Sequence, residues 1–200
     1  MIRDLVDDLA AEQDELDALL VHLSPSEWDT VTPSAPWTIR DTISHLAFFD
    51  ERQVQAITDA ESFANEINQR MTGGTDDYTS IGVNRGRAMT PRDVLAWWRK
   101  VRATEIEAFL PLQPDQQIPW YGPPMKARSA VIARMMETWA HGQDVVDAIG
   151  LKREPTERLF HIAELGVKTF SWSFTKRIGG ALGAGPGCSA GPERVNHGME

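Results

Sequence analysis

Apolar residues recur at helical spacing through most of this chain, and each recurrence is bounded by a cap signature, a glycine or a proline. From residue 3 to residue 22 and just beyond, Leu5, Leu9, Leu16, Leu19, Leu20 and Leu23 fall on one face, with acidic residues on the other. Ser24-Pro25-Ser26-Glu27 reads as a capping box with proline at the first helical position, giving a short turn around Trp28. Thr38, with Asp41 three residues on, opens a second long helix. Its apolar positions are Ile39, Ile43, Leu46, Val54 and Ile57, and it should run to about residue 70, ahead of Gly73-Gly74. Residues 72–89 are polar and contain glycine, and read as a long loop.

Thr90-Pro91-Arg92-Asp93 caps a third helix through Val94, Leu95, Trp97, Trp98, Val101, Phe109 and Leu110, closed by Pro111, Pro114 and Pro119. A fourth, over residues 127–149, carries Ile132, Met135, Met136, Trp139, Gln143 and Val146 and ends at Gly150. Pro155-Thr156-Glu157 caps a fifth segment bearing Leu159, Ala163, Val167, Phe170 and Phe174. No alternating strand run with hairpin signals is present. The expected class is all-α: an up-down four-helix bundle with an additional C-terminal helix, filling residues 1–175. Seven of the 15 glycines lie between Gly179 and Gly198, so residues 176–200 read as a Gly/Pro-rich flexible tail.

Bulk properties narrow the function classes. A net charge of -9 repels phosphate backbones and argues against nucleic acid as a partner. No apolar run reaches transmembrane length, and the acidic start lacks the apolar core of a secretory signal. A single cysteine, Cys188, cannot form an internal disulfide; a cytoplasmic protein is expected.

Chemistry concentrates at Glu137 and His141. Four residues apart on one helix, they project to the same side, the spacing by which zinc proteases aim two ligands at one ion. The same spacing also serves as a plain solvated hydrogen-bonded pair. A third ligand must come from another helix, and His45, mid-way along the second, is the candidate. Two imidazoles and a carboxylate leave a fourth position open, as in catalytic zinc sites. Nickel, cobalt, iron or manganese suit the same donors.

Two segments carry a resemblance: Trp37-Thr38-Ile39-Arg40-Asp41-Thr42-Ile43-Ser44-His45-Leu46 and Met136-Glu137-Thr138-Trp139-Ala140-His141-Gly142-Gln143-Asp144. They resemble the two signatures of the DinB-like metal-binding bundles, and most nearly the N-terminal domain of the mycothiol-dependent maleylpyruvate isomerases. The resemblance implies that His45, Glu137 and His141 are metal ligands. It also implies a low-molecular-weight thiol such as mycothiol as cofactor, a small electrophilic substrate, and thiol transfer or cis–trans isomerisation as the activity. Members of that branch continue into a small α/β domain. Here a Gly/Pro-rich stretch follows Phe174 instead, which keeps open a non-catalytic metal-binding bundle, a sensor or scaffold lacking that domain.

Around the trio, Asp144 is one turn from His141 and placed to orient its ring. Trp37 and Trp139 are candidates to wall a cofactor pocket, with core packing as the other role. Arg85 and Arg87, in the segment before the third helix, are candidates for a substrate carboxylate. Relatives of this fold often pair, so the resemblance also implies a homodimer, with the Trp97-Trp98 helix as candidate seam. No catalytic residue is assigned.

Overall fold

The computed structural model describes residues 2–73 and 77–178, with side chains for residues 2–69 and 77–169. In chain order the elements are α1 (Ile2–Leu20), a single 3-10 turn (Glu27–Asp29), α2 (Ile39–Thr58), α3 (Ala60–Gly73), α4 (Thr79–Arg87), α5 (Pro91–Phe109), the short strands β1 (Gln117–Ile118) and β2 (Met125–Lys126), α6 (Ala127–Ala148) and α7 (Leu159–Ile178). α1, α2, α5 and α6 form the four-helix bundle: α2 lies on α5 and α6, and α1 on α6 and α5. The chain comprises two compact units, Met1–Leu165 and Gly166–Glu200. The bundle belongs to the first. Of the second, the described part is the remainder of α7; the glycine-rich segment from Gly179 lies outside the described residues.

The Thr38 and Thr90 caps act where sequence placed them, whereas Pro25 precedes the 3-10 turn and Thr156 Oγ1 caps nothing among the described residues, the last helix beginning at Leu159. Thr38 Oγ1 accepts the Asp41 N–H and the Asp41 carboxylate accepts the Thr38 N–H, both at 3.2 Å. Such a cap stabilises a helix start by about 1 kcal/mol. Thr90 caps α5 in the same sense, with Pro91 in the first turn. Around Trp28, which is buried, the Glu27 carboxylate takes both the N–H and the hydroxyl of Ser24.

Three expectations need correction. The second helix does not run unbroken to residue 70. It ends at Asp59, whose carboxylate accepts the Ser62 N–H at 3.1 Å and so starts α3. Most of residues 72–89 is not loop, because Asp77 accepts the Ser80 N–H at 3.0 Å and opens α4. Two of the four glycines in that segment, Gly82 and Gly86, are instead where α4 meets α2. A Cβ on Gly86 would sit 1.7 Å from Ser44 Oγ, and one on Gly82 2.5 Å from Phe48 Cβ. Finally, Trp97 and Trp98 are buried inside the unit, so they present no exposed seam. Between α5 and α6, β1 and β2 pair antiparallel, with Ile118 opposite Met125.

The core divides in two. One cluster holds Leu5, Val6 and Leu9 of α1 with Phe109, Val131 and Met135; the other holds Leu16, Leu20, Ile39, Ile43, Trp98 and Val145. Between them along α1, α2 and α5 lie buried Gln13, Asp50, Gln53 and Glu105, joined by Arg134 of α6. Arg134 donates from Nε and Nη2 to Asp50 Oδ1 at 3.0 and 2.7 Å. Trp98 Nε1 donates to Asp50 Oδ2 at 3.1 Å, and Gln13 donates to Glu105 at 3.1 Å. A buried charge layer adds little net stability, but it penalises any helix register that would separate its partners. Here its Arg134–Asp50 bonds join α6 to α2 across the core.

Candidate metal centre

α2 and α6 carry the three residues whose spacing pointed to a metal. His45 Nε2 lies 3.4 Å from Glu137 Oε2, and His141 Nε2 lies 3.6 Å from the same oxygen. One donor atom from each of the three falls within 4.8 Å of the others. The rings of His45 and His141 meet edge-on, with centroids 4.8 Å apart. His45 is buried, and Phe49, one turn further along α2, packs against its ring at 4.7 Å.

The electrostatics favour a cation at this point. Burial alone would push the Glu137 carboxyl up. Hydrogen bonds from His141 and His45 and the charge of Arg134 outweigh it and hold the group far below the ordinary carboxylate range, as an anion. Burial pushes the His45 ring down, toward the neutral form that offers a lone pair. Burial acts the same way on His141, but Glu137 and Asp144 outweigh it and hold that ring up. His141 Nδ1 lies 3.0 Å from Asp144 Oδ2, and Ser34 donates to that same oxygen at 2.8 Å. The second ring nitrogen is thereby committed to Asp144, leaving Nε2 turned toward Glu137. Convergent neutral and anionic donors, with a carboxylate behind one imidazole, fit a divalent ion.

Trp37 is held by its loop. Its carbonyl accepts the Thr32 N–H at 2.8 Å, while Ile39 N–H reaches Thr30 O at 3.0 Å. Its ring covers both histidines, with centroids 5.0 Å from His45 and 5.9 Å from His141. Trp139 is half-buried, and no ring contact joins it to the histidines among the described residues. Arg85 pairs with Glu51 at 2.8 Å and stacks on Trp97 at 3.9 Å. Arg87 grips Asp41 through two bonds of 2.9 Å. Both arginines are on α4 and are engaged in holding it to its neighbours.

A cavity of about 300 Å³ opens beside the trio, with His45 and Glu137 in its wall. Its apolar walls are Phe49, Trp120, Met125 and Met136, and its polar ones Gln53 and Arg134. Sequence reasoning missed most of these. Phe49 and Gln53 stand four and eight residues after His45, and Arg134 three before Glu137, so extending the helical spacing from the trio would have reached them. Trp120 gave no such signal; it arrives from the β1–β2 connection and stacks on Phe63 at 5.9 Å.

Fold and site together define a helical bundle with a candidate two-histidine, one-carboxylate metal centre between facing helices. Residues 9–146 match the mycothiol maleylpyruvate isomerase N-terminal domain family, and the chain belongs to it. Two Mycobacterium tuberculosis proteins, Rv0036c of strain H37Rv and MT0041 of strain CDC 1551, both uncharacterized, are 40% identical to it over 169 residues. The match covers 84% of this chain and 65% of theirs, so the chain spans somewhat less than two thirds of these relatives. Crystal structures of the mycothiol-dependent maleylpyruvate isomerase and of a histidine-to-alanine mutant superpose with TM-scores of 0.58 and 0.60. Both are 13% identical over 72% of this chain and 60% of theirs, a likeness of fold. No described helix is long and apolar enough to cross a membrane.

Proposed function

We propose that this chain binds one divalent ion, zinc by ligand type, through His45, Glu137 and His141, and uses it in mycothiol-type thiol chemistry, as an isomerase or S-transferase. The observation that carries the reading is the convergence of three donor atoms within 4.8 Å beside a cavity of small-ligand size. When bound, such an ion lowers the pKa of a thiol and presents it as thiolate near neutral pH. The chain's own residues do the rest. Glu137 supplies the negative charge, Asp144 fixes the His141 ring, and Trp37 with Phe49 shields the histidines from bulk water. The apolar walls receive the electrophile. Family membership supports the thiol; the chain's own cysteine, Cys188, lies outside the described residues.

The test is metal content by mass spectrometry on the purified protein and on His45→Ala, Glu137→Ala and His141→Ala, followed by thiol-dependent turnover of chlorodinitrobenzene or monobromobimane. About one ion per chain, lost in all three variants, with metal-dependent turnover, is the expected result. No ion after reconstitution with zinc or nickel would overturn the metal reading. A bound ion with no rate above background for mycothiol would leave a metal-binding bundle without the enzyme.

A further inference from the structure

Gln53 is fully buried, lines the cavity, and neither its amide nitrogen nor its amide oxygen has a hydrogen-bond partner among the described residues. A buried carboxamide with both atoms unpaired is costly to keep, and this residue borders a cavity of about 300 Å³. Arg134 lines the same cavity. Its Nε and Nη2 are taken by Asp50, which leaves Nη1 outside those two bonds. The cavity thus carries two chemically distinct sets of polar groups among apolar walls. His45 and Glu137 are one set. Gln53 stands two helical turns further along α2, a rise of about 12 Å for eight residues.

We propose that Gln53 and Arg134 form a second subsite, which hydrogen-bonds a neutral amide in the body of a thiol whose sulfur sits at the His45–Glu137–His141 centre. An amide offers one acceptor and one donor, which is what the free amide of Gln53 needs in return. A carboxylate fits less well. It would leave Gln53 Oε1 unpaired, and the guanidinium has no surplus charge for it, being already opposed by Asp50 at 2.7 Å and Glu105 at 3.6 Å. The subsite rests on the metal and thiol reading above, and deepens it by naming what the thiol must carry.

The experiment uses the full chain loaded with cobalt, whose thiolate charge-transfer absorption reports thiol binding without turnover. The probes are N-acetyl aminoalkanethiols of increasing length, with plain alkanethiols and mercapto-carboxylic acids of matched length. In the parent, the best amide thiol should bind about tenfold more tightly than its plain counterpart, the worth of one or two net hydrogen bonds. In Gln53→Met, of similar size, that preference should fall to parity with cobalt content unchanged. Parity already in the parent, a comparison that needs no variant, would overturn the subsite. So would a preference that survives Gln53→Met, or tighter binding of the carboxylic acids. Failure to load cobalt, or a loaded protein silent to every thiol, would overturn the underlying reading and the subsite with it. Metal content and the plain thiols show which failure has occurred.

Discussion

Ser34 and Asp144 are 110 residues apart in sequence, yet the hydroxyl of the first lies 2.8 Å from the carboxylate oxygen of the second that also meets His141. The loop before α2 thus steadies the group that orients the His141 ring on α6. Asp144→Ala should weaken metal affinity by about 10–100-fold while leaving one site per chain, read by competition with a chromophoric chelator. Ser34→Ala, which leaves Asp144 in place, should cost less. Unchanged affinity in Asp144→Ala would remove the carboxylate from any role at the metal.

Metal bound only to the folded chain stabilises it by mass action. At free zinc 100-fold above its Kd the gain is about 2.7 kcal/mol. Chelator should therefore lower the Tm of the parent and leave that of His45→Ala unmoved, as scanning calorimetry can establish.

The charge layer in the bundle makes a sharper demand on stability. Removing Asp50 strands Arg134 in the core, so Asp50→Ala should cost about 3–5 kcal/mol by urea denaturation. A paired change, Asp50→Leu with Arg134→Met, should cost much less, because no uncompensated charge is left behind. A double variant as unstable as the single one would mean that packing, not charge, dominates there.

Two carboxyls should give stability profiles of opposite sign. Burial and the nearby Asp50 push Glu105 well above the ordinary carboxylate range. Its contribution is greatest below an ordinary pKa of about 4.3 and falls as pH rises through the raised folded value. Glu105→Gln, which keeps the shape, should flatten that loss. Asp41 behaves the other way. Burial raises its carboxyl, but hydrogen bonds from Arg87 and Thr38 outweigh it and hold the group low. Its contribution is present above about pH 3.9 and is lost as acid carries the protein through the lower folded value. Half-exposed Arg87 limits the pair to about 1 kcal/mol or less. Denaturant midpoints across pH for the parent, Glu105→Gln and Asp41→Asn would show both slopes.

Gly82 and Gly86 let α4 approach α2 closely enough that any side chain would collide. Gly86→Ala should destabilise by about 1–3 kcal/mol, because the methyl meets Ser44 Oγ at 1.7 Å and Ser44 Cβ at 2.4 Å. Ser44→Gly in the same chain should recover part of the loss, and equal stability of the single and double variants would refute the contact.

The long helices were legible because caps and periodicity agreed at Thr38 and Thr90. Spacing paired only Glu137 with His141 on one helix; it was the family resemblance that joined His45 to them, and the structure brings the three donor atoms together. α4 was not legible, since Gly82 and Gly86 read as helix breakers when their work is close packing. Asp59 was passed over because an aspartate inside an otherwise helical pattern resembles a surface residue as much as a cap. The charge layer was hidden for a related reason: Asp50, Glu105 and Arg134 look solvent-facing one by one, and only their meeting makes burial tolerable. Arg85 and Arg87 read from sequence as ligand-binding candidates because their ion pairs with Glu51 and Asp41 depend on a helix that the sequence does not reveal.

Arg134 belongs both to that buried layer and to the cavity wall, and this limits how such a pocket can diversify. A substitution there would alter what the cavity admits and loosen the bundle at once, so variation in selectivity has to enter through neighbours with no share in the charge layer. Phe49, Met125 and Met136 are such neighbours. A library confined to those three positions should yield folded proteins with altered ligand preference, whereas one that includes Arg134 should be dominated by chains that fail to fold.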